Sequence, residues 1–501
     1  MTIRYTTPEE DLYLDPTGKA RAYLASLKDT DEEPVPYIYA TRSRTAWKEQ
    51  FQSHLESINY SSNHQRYVEF NRPYADKFGA QGGRFSLNRL KELLLPFYDI
   101  PQHIDTSVLC SGIDYIKARI QTIRRFSEPV CITDASLRSD ANGSLPYMGK
   151  KCDFLDLSYR SQFGAHVFPC IPGQRYQNLK QRPIFQDATS NVRYINPYLG
   201  AVREWVQCHL SDWFKGWINP TLVTGVAMSE WTRRDSFYAV EMDYEKCDNT
   251  FTKPLAIRVL EPWECLLDPV AYHRVLAYTE ECFHQPLYLG DQLWTGEHSL
   301  FSGQGVTSDY ETWLDLELSF SAIIDSGHNP KDFEVFAIGD DVTILCPDQE
   351  SAENIYALYV RYAHACGMVI SKTKSGIHHN QATFCRRLYY RELKRDVNIS
   401  GNIYMPGAYP SWRTLNGIIN PEKHQSTDED VWINTFRRLD NLYGSPDFVP
   451  TVQFVISRAV KKNLPPIDSY IPPDWWDRLY GASWSLENSE VFRVLKSCGL
   501  Y

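Results

Sequence analysis

Apolar residues recur at helical spacing through the first quarter of the chain. SLNRLKELLLPFYDI (86–100) and GIDYIKARIQTIRRF (112–126) are the clearest cases, and the pattern predicts helices across 37–135. The rhythm is lost between 136 and 200, where Gly143, Pro146, Gly149, Pro169, Pro172, Gly173, Pro183 and Pro197 allow only loops and short strands. AVREWVQCHLSDWFKGW (201–217) restores a helix. SFYAVEMD (236–243) is a short apolar run that predicts a buried strand ending on a carboxylate. Helix is expected over 258–290, and a glycine turn entering a helix over 301–325. FEVFAIGDDVTILC (333–346) has the pattern of two strands around a tight turn, a hairpin with carboxylates at its tip. ESAENIYALYVRYAHAC (350–366) predicts a helix. Beyond about 400 the chain is rich in Pro and Trp with shorter helices, so a domain boundary is placed there. Residues 1–36 are acidic and turn-rich, which predicts an extended arm with one short helix near 19–28. There is no internal repeat.

Composition narrows the possibilities. With 501 residues, 43% hydrophobic and 23% charged, the chain is globular and long enough for two to four sub-domains. The net charge of −10 argues against a protein that coats itself in nucleic acid. Basic residues nevertheless gather in the broken stretch, at Lys150, Lys151, Arg160, Arg175, Lys180, Arg182 and Arg193, so a basic channel inside an acidic shell is compatible. The 12 cysteines include no Cys-x-x-Cys, which points to a reducing compartment. MTIRYTTPEE carries no apolar signal region, and no apolar run approaches the ~20 residues of a membrane helix. A soluble, intracellular protein without a membrane partner is expected. Aromatics reach 14%. Tyr194, Tyr198, Trp205, Trp213 and Trp217 could stack on bases, but core packing is the expected use. His364, Cys366, His378, His379 and Cys385 fit no strong zinc-ligand spacing.

The chemistry is concentrated in three elements. Asp243-Tyr244-Glu245-Lys246-Cys247-Asp248 closes the predicted strand, Ser302-Gly303-x3-Thr307 is the glycine turn, and Gly339-Asp340-Asp341 is the hairpin tip. Gly-Asp-Asp alone arises by chance in roughly one chain in ten of this length, and Asp and Gly are ordinary turn residues. The combination is what matters. Adjacent strands ending in Asp243 and Asp340 would aim carboxylates at one point, which is costly unless cations neutralise them. Hard oxygen ligands suit Mg²⁺ or Mn²⁺, and two such ions about 3.5–4 Å apart stabilise the attacking and leaving oxygens of a phosphoryl displacement.

In this order the three elements resemble motifs A, B and C of viral RNA-dependent RNA polymerases. Lys180-Gln-Arg182-Pro-Ile with Asn191-Val-Arg193 resembles the basic motif F, and Ser144-Leu-Pro-Tyr-Met-Gly149-Lys150-Lys151 resembles motif G on the template path. Helix 350–366 with Ser371-Lys372-Thr373-Lys374-Ser375 is similar to motif D, and Thr383-Phe-Cys-Arg386-Arg387 to motif E. The resemblance spans about 140–395. It is nearest to polymerases of small bisegmented double-stranded RNA viruses, of the partitivirus and picobirnavirus type.

The resemblance implies an α+β fold, a closed right hand. An arm (1–36) would bridge fingers and thumb. Fingers would occupy 37–235 with an insert at 260–298. The palm, an antiparallel sheet backed by helices, would occupy 236–259 and 299–395, and a helical thumb 396–501. It implies that Asp243, Asp340 and Asp341 hold two Mg²⁺ ions, for which Mn²⁺ can substitute, with the Tyr244 carbonyl completing a site. Lys374 would be the general acid, with Lys372 as runner-up. Asp248 would face the ribose, Ser302 and Gly303 would carry template and nucleotide, and Thr307 would help orient the sugar-reading group. Lys180 and Arg182 would neutralise the triphosphate; Lys150, Lys151, Arg193, Arg386 and Arg387 would contact RNA. Glu311 departs from the family, which often has Asn there; it would be held by a donor such as Thr307 or a water. The implied partners are RNA template and product, nucleoside triphosphates and, as an open option, a capsid protein. The implied setting is the virion interior and host cytoplasm. A reverse transcriptase fits less well, because of the Ser-Gly-x3-Thr turn and the Gly before Asp340. An inactive RNA-binding or capsid-associated protein is the alternative from another class.

Overall fold

The computed structural model describes residues 1–5, 18–27, 44–82, 86–125, 130–132, 144, 169–177, 179–214, 222–393, 397–399, 402–422, 428–459 and 494. In chain order, β1 (Thr2–Tyr5) and α1 (Lys19–Ala25) precede four helices: α2 (Arg44–Ser57), α3 (Gln65–Asn71), α4 (Leu87–Leu94) and α5 (Cys110–Arg124). The helices expected in 37–135 therefore form. Ser86 caps α4 by accepting the Arg89 N–H, and Ile113, Ile116 and Ile120 give α5 one buried stripe.

The broken stretch yields a hairpin, β2 (Ile171–Gln177) and β3 (Lys180–Gln186), paired without interruption from Ile171↔Gln186 to Gln177↔Lys180. α6 (Thr189–His209) then starts well before 201 and stops short of 217. Pro197 lies inside it. A proline there forfeits one backbone bond, and Val192, Ile195, Leu199, Val202 and Val206, all buried, offset that loss. α7 (Leu222–Trp231) follows.

The central sheet comprises β4 (Tyr238–Met242), later joined by three more strands. Before them come α8 (Lys253–Val259), α9 (Pro269–Cys282), β5 (Leu287–Leu289) and β6 (Gln292–Thr295). The helical expectation for 258–290 thus fails at its end, where a hairpin begins. β1 pairs with β6 to complete a small sheet of order β1-β6-β5; residues 6–17 and 28–36 of the arm lie outside the described residues. α10 (Thr307–Asp325), β7 (Glu334–Ile338), β8 (Asp341–Cys346), α11 (Gln349–Ala365) and β9 (Gly376–His379) complete the centre. The sheet order is β7-β8-β4-β9, antiparallel throughout.

Both faces of this sheet are covered, which is why its strands read as nearly continuous apolar runs. Val240, Met242, Val342 and Ile344 pack with Leu314, Leu318, Ile355 and Tyr359 of α10 and α11. One residue out of phase, Phe237, Ala239, Phe336 and Leu345 pack with Ala382, Phe384 and Leu388 of a hairpin, β10 (Gln381–Phe384) and β11 (Arg387–Tyr390). A short ribbon, β12 (Val397–Ile399) and β13 (Asn402–Tyr404), leads to α12 (Ser411–Ile419), α13 (Asp428–Asp440) and α14 (Phe448–Ala459). These helices share a core with α2: Trp47 and Phe51 pack against Trp412 and Phe454.

Candidate active site

The turn between β7 and β8 is built on Gly339, whose φ of 57° suits glycine. Its N–H donates to Thr312 Oγ1 at 2.8 Å, and the Thr312 hydroxyl donates to the Ser308 carbonyl at 2.5 Å. Helix α10 therefore props the turn from below. Asp340 projects into solvent at the tip, and Asp341 opens β8. β4 pairs with β8 up to Met242↔Val342, so Asp243 stands one step further on, opposite Asp341. The two strands deliver their carboxylates to one edge of the sheet, as their sequence pattern predicts.

Each carboxylate is anchored. The turn at 371–375 wraps Asp243: Ser371 N–H donates to its carbonyl at 2.8 Å, and its own N–H donates to Ser375 Oγ at 2.9 Å. The Lys374 ammonium forms an ion pair with the Asp243 carboxylate. Asp341 accepts the Cys385 N–H at 2.9 Å. Burial pushes the Asp341 carboxyl up to about 6; the charges of Asp340 and Asp243 add to this, while the Cys385 N–H opposes it.

A second carboxyl pair lies beside the first. Asp248, on a one-turn helix (Cys247–Thr250), is pushed up to about 6 by burial and by Asp340, against a hydrogen bond with Glu311 and the charge of Arg182. Glu311 is raised further, by burial first and then by Asp248 and Asp340. The two acids face each other, and burial beside a like charge raises both, so the pair favours holding one proton between them. Thr307 does not hold Glu311, contrary to expectation. Its hydroxyl donates to the carbonyls of Phe301 at 3.0 Å and Gln304 at 3.2 Å, because it closes the glycine turn that leads into α10.

The glycine turn is locked to the basic hairpin. The Phe185 N–H donates to the Ser302 carbonyl at 2.9 Å, and Phe185 stacks on Phe301 at 3.9 Å between ring centroids. Gly303 has a φ of 101°, and a Cβ there would drive into the Phe185 carbonyl. β3, which carries the exposed Lys180 and Arg182, is thereby fixed against Ser302 and Gly303. Gly303→Ala is expected to cost about 1–3 kcal/mol of stability, because neither backbone can yield without breaking this lock. Thermal unfolding checks it; an unchanged Tm would show that the turn relaxes freely.

The remaining candidates separate cleanly. Arg386 is exposed in the β10–β11 turn, where Cys385 and Arg386 take φ of 49° and 63°, the two left-handed positions of a tight hairpin. Arg387 is no RNA contact: it is buried and donates to the carbonyls of Gly407 at 2.9 Å and Asn441 at 3.1 Å. Arg193 is half-buried on α6, and Lys150 and Lys151 lie outside the described residues, as does Trp217. Tyr198, Trp205 and Trp213 are core, and Tyr194 stacks on Tyr278. The Tyr244 phenol turns inward to Asp315 at 2.5 Å and Tyr359 at 2.7 Å, leaving only its backbone for a cation. Thr312 carries no sequence signal, and Ser371, Ser375 and Cys385, though they fall in the stretches similar to motifs D and E, give no sign in the sequence of their anchoring roles, since each acts through a partner remote in the chain. Glu241 is likewise unannounced. Its carboxyl, pushed up to about 8 by burial, accepts the Thr383 N–H at 2.5 Å and docks the β10–β11 hairpin.

The donor chemistry at Asp243, Asp340 and Asp341 suits a hard divalent cation: carboxylate oxygens alone, close enough to feel one another's charge. Among the described residues no three His, Cys, Asp or Glu side chains are already drawn together in ligating geometry, since Asp243 is turned to Lys374 and Asp341 to Cys385.

The overall architecture is that of a viral RNA-dependent RNA polymerase fold. The crystal structure of the RNA-dependent RNA polymerase of a human picobirnavirus superposes with a TM-score of 0.77 and 17% identity, covering 99% of this chain and 100% of that one. The insertion-loop deletion mutant of such an enzyme gives a TM-score of 0.75 and 18% identity over 99% and 100%. No protein-family model and no curated protein matches the sequence.

Proposed function

We propose that this chain is an RNA-directed RNA polymerase that transcribes and replicates a viral double-stranded RNA genome. The observation that carries this reading is the delivery of Asp243, Asp340 and Asp341 to one sheet edge, beside a glycine turn locked to a basic hairpin. In this reading the β7-β8-β4-β9 sheet with α10 and α11 is the palm, the β2–β3 hairpin belongs to the fingers, and α12–α14 to the thumb. The three aspartates, with the Tyr244 carbonyl, hold Mg²⁺ or Mn²⁺. Such ions, when bound, stabilise charge on the attacking and leaving oxygens of nucleotidyl transfer. The chain's own groups do the rest. Lys180 and Arg182 neutralise the triphosphate, and the Ser302–Gly303 turn seats the base pair. Lys374 protonates the leaving pyrophosphate, and Arg386 meets the RNA backbone. A virion or cytoplasmic setting and a capsid-protein partner belong to the same reading. Among the described residues no helix is long and apolar enough to cross a membrane.

The test is incorporation of labelled nucleotide on single-stranded RNA with Mg²⁺, then on a duplex. RNA binding without metal-dependent incorporation would favour an inactive RNA-binding protein, and deoxynucleotide preference a reverse transcriptase.

The shared proton between Glu311 and Asp248 gives a specificity prediction. In this reading the shared proton sits on Glu311, which donates to one Asp248 oxygen and leaves the other to accept the ribose 2′-hydroxyl. Glu311→Leu removes the donor that orients Asp248 and should lower the ribo-over-deoxy ratio of kcat/KM about tenfold. Glu311→Gln keeps an N–H donor and should be milder. An equal ratio in Glu311→Leu and the unaltered protein would show that this pair does not read the sugar.

A further inference from the structure

The glycine turn has a second anchor besides Phe185. Gln304 follows Gly303 directly and is buried, and each polar atom of its side-chain amide has a partner. Oε1 accepts the Phe301 N–H at 3.2 Å. Nε2 donates to the Cys282 carbonyl at 3.0 Å and to Gln285 Oε1 at 2.7 Å. Gln285 Nε2 donates in turn to Asp187 Oδ1 at 2.9 Å, which also accepts Asn191 Nδ2 at 2.7 Å. Gln285, Asp187 and Asn191 are buried as well. Asp187 directly follows β3, the strand of Lys180 and Arg182, and Asn191 stands in the first turn of α6. The turn is thus held at consecutive backbone groups: the Phe301 N–H by Gln304, the Phe301 carbonyl by Thr307 and the Ser302 carbonyl by Phe185.

The polarity of this bridge is dictated from both ends. An ionised carboxylate at Asp187 only accepts, so Gln285 turns its Nε2 to it and its Oε1 to Gln304. Gln304 then gives its Nε2 to Gln285, which leaves its Oε1 for the Phe301 N–H, a group that only donates. The end of α9 gains partners from the same segment, since the last carbonyls of a helix have none within it. The Cys282 carbonyl is met by Gln304, the Phe283 carbonyl accepts the His298 N–H at 2.9 Å, and the Gln285 carbonyl lies 3.1 Å from His298 Nε2. The end of α9 therefore ties the glycine turn to the basic hairpin. We propose that Gln304 is a positioning residue for nucleotide incorporation: through Gln285 and Asp187 it holds the Ser302–Gly303 turn in register with the hairpin that carries Lys180 and Arg182. This rests on the polymerase reading, in which turn and hairpin grip opposite ends of one nucleotide. A fixed separation between the two grips presents base and triphosphate together.

The test is kcat and KM for ribonucleotide incorporation by the full chain on single-stranded RNA with Mg²⁺, with Tm measured in parallel. Gln304→Met keeps the length of the side chain and removes its hydrogen bonds. KM should rise about tenfold with kcat within about threefold, because the grip acts on the bound nucleotide before and during transfer alike. Gln285→Met, one link further away, repeats the test should Gln304→Met fail to fold. Gln285→Glu sets a second carboxylate against Asp187 and should raise KM similarly. Adding Asp187→Asn supplies an amide donor to the new carboxylate, while its oxygen still accepts Asn191, and should return KM to within about threefold of the unaltered protein. A merely structural role would lower Tm and leave KM alone. That result in Gln304→Met, or a double variant no better than Gln285→Glu, would overturn this inference and leave the polymerase reading standing. No incorporation by the unaltered protein would sink the polymerase reading, and this inference with it.

Discussion

Asp340→Ala is expected to abolish ribonucleotide incorporation while leaving the fold intact. Asp340 sits exposed at the hairpin tip, so its side chain supports no core. The turn keeps its shape without it, because Gly339 is held by Thr312 and Asp341 by the Cys385 N–H. A surface change of this kind shifts stability by about 0.5 kcal/mol or less. The chemical loss is far larger. One electrostatic stabiliser of a developing oxyanion is worth about 10²–10³ in turnover, and a metal ligand contributes at least as much. Incorporation should therefore fall to background at unchanged Tm. Incorporation at the rate of the unaltered protein would sink the whole functional reading.

Lys374→Leu should lower kcat about 10²-fold with only a small change in nucleotide KM. The leaving pyrophosphate needs a proton, and the 371–375 turn carries two candidate lysines. Lys374 is the expected donor because it pairs with Asp243, on the turn whose Ser371 and Ser375 hold the Asp243 backbone. A general acid affects the chemical step rather than ground-state binding, so kcat is the parameter that moves. Lys372→Leu is the control, and a larger drop there would transfer the role to Lys372.

The sequence made the chemical centre legible because its signals are local. A strand ending on Asp243, a hairpin turning at Gly339 and a Ser302-Gly303 turn each occupy a few consecutive residues, and burial on both faces leaves apolar runs that periodicity detects. What stayed hidden depends on partners far along the chain. Asp187 is tied to Gln285, Arg387 is consumed by carbonyls at 407 and 441, and Glu311 finds Asp248 instead of Thr307. Pro197 misled the reading of 189–200 because local propensity yields to the buried residues flanking it in α6.

The pairing of α2 with α14 bears on how the chain is made. Trp47 and Phe51 find their aromatic partner at Phe454, about 400 residues later. At about 5–20 residues per second, a ribosome leaves that apolar face waiting for roughly 20–80 s before α14 emerges. For that interval the nascent protein presents two large aromatic side chains without their final cover. Chaperone occupancy of the first 60 residues, or premature association between neighbouring nascent chains, is the hazard that this architecture builds into its own synthesis.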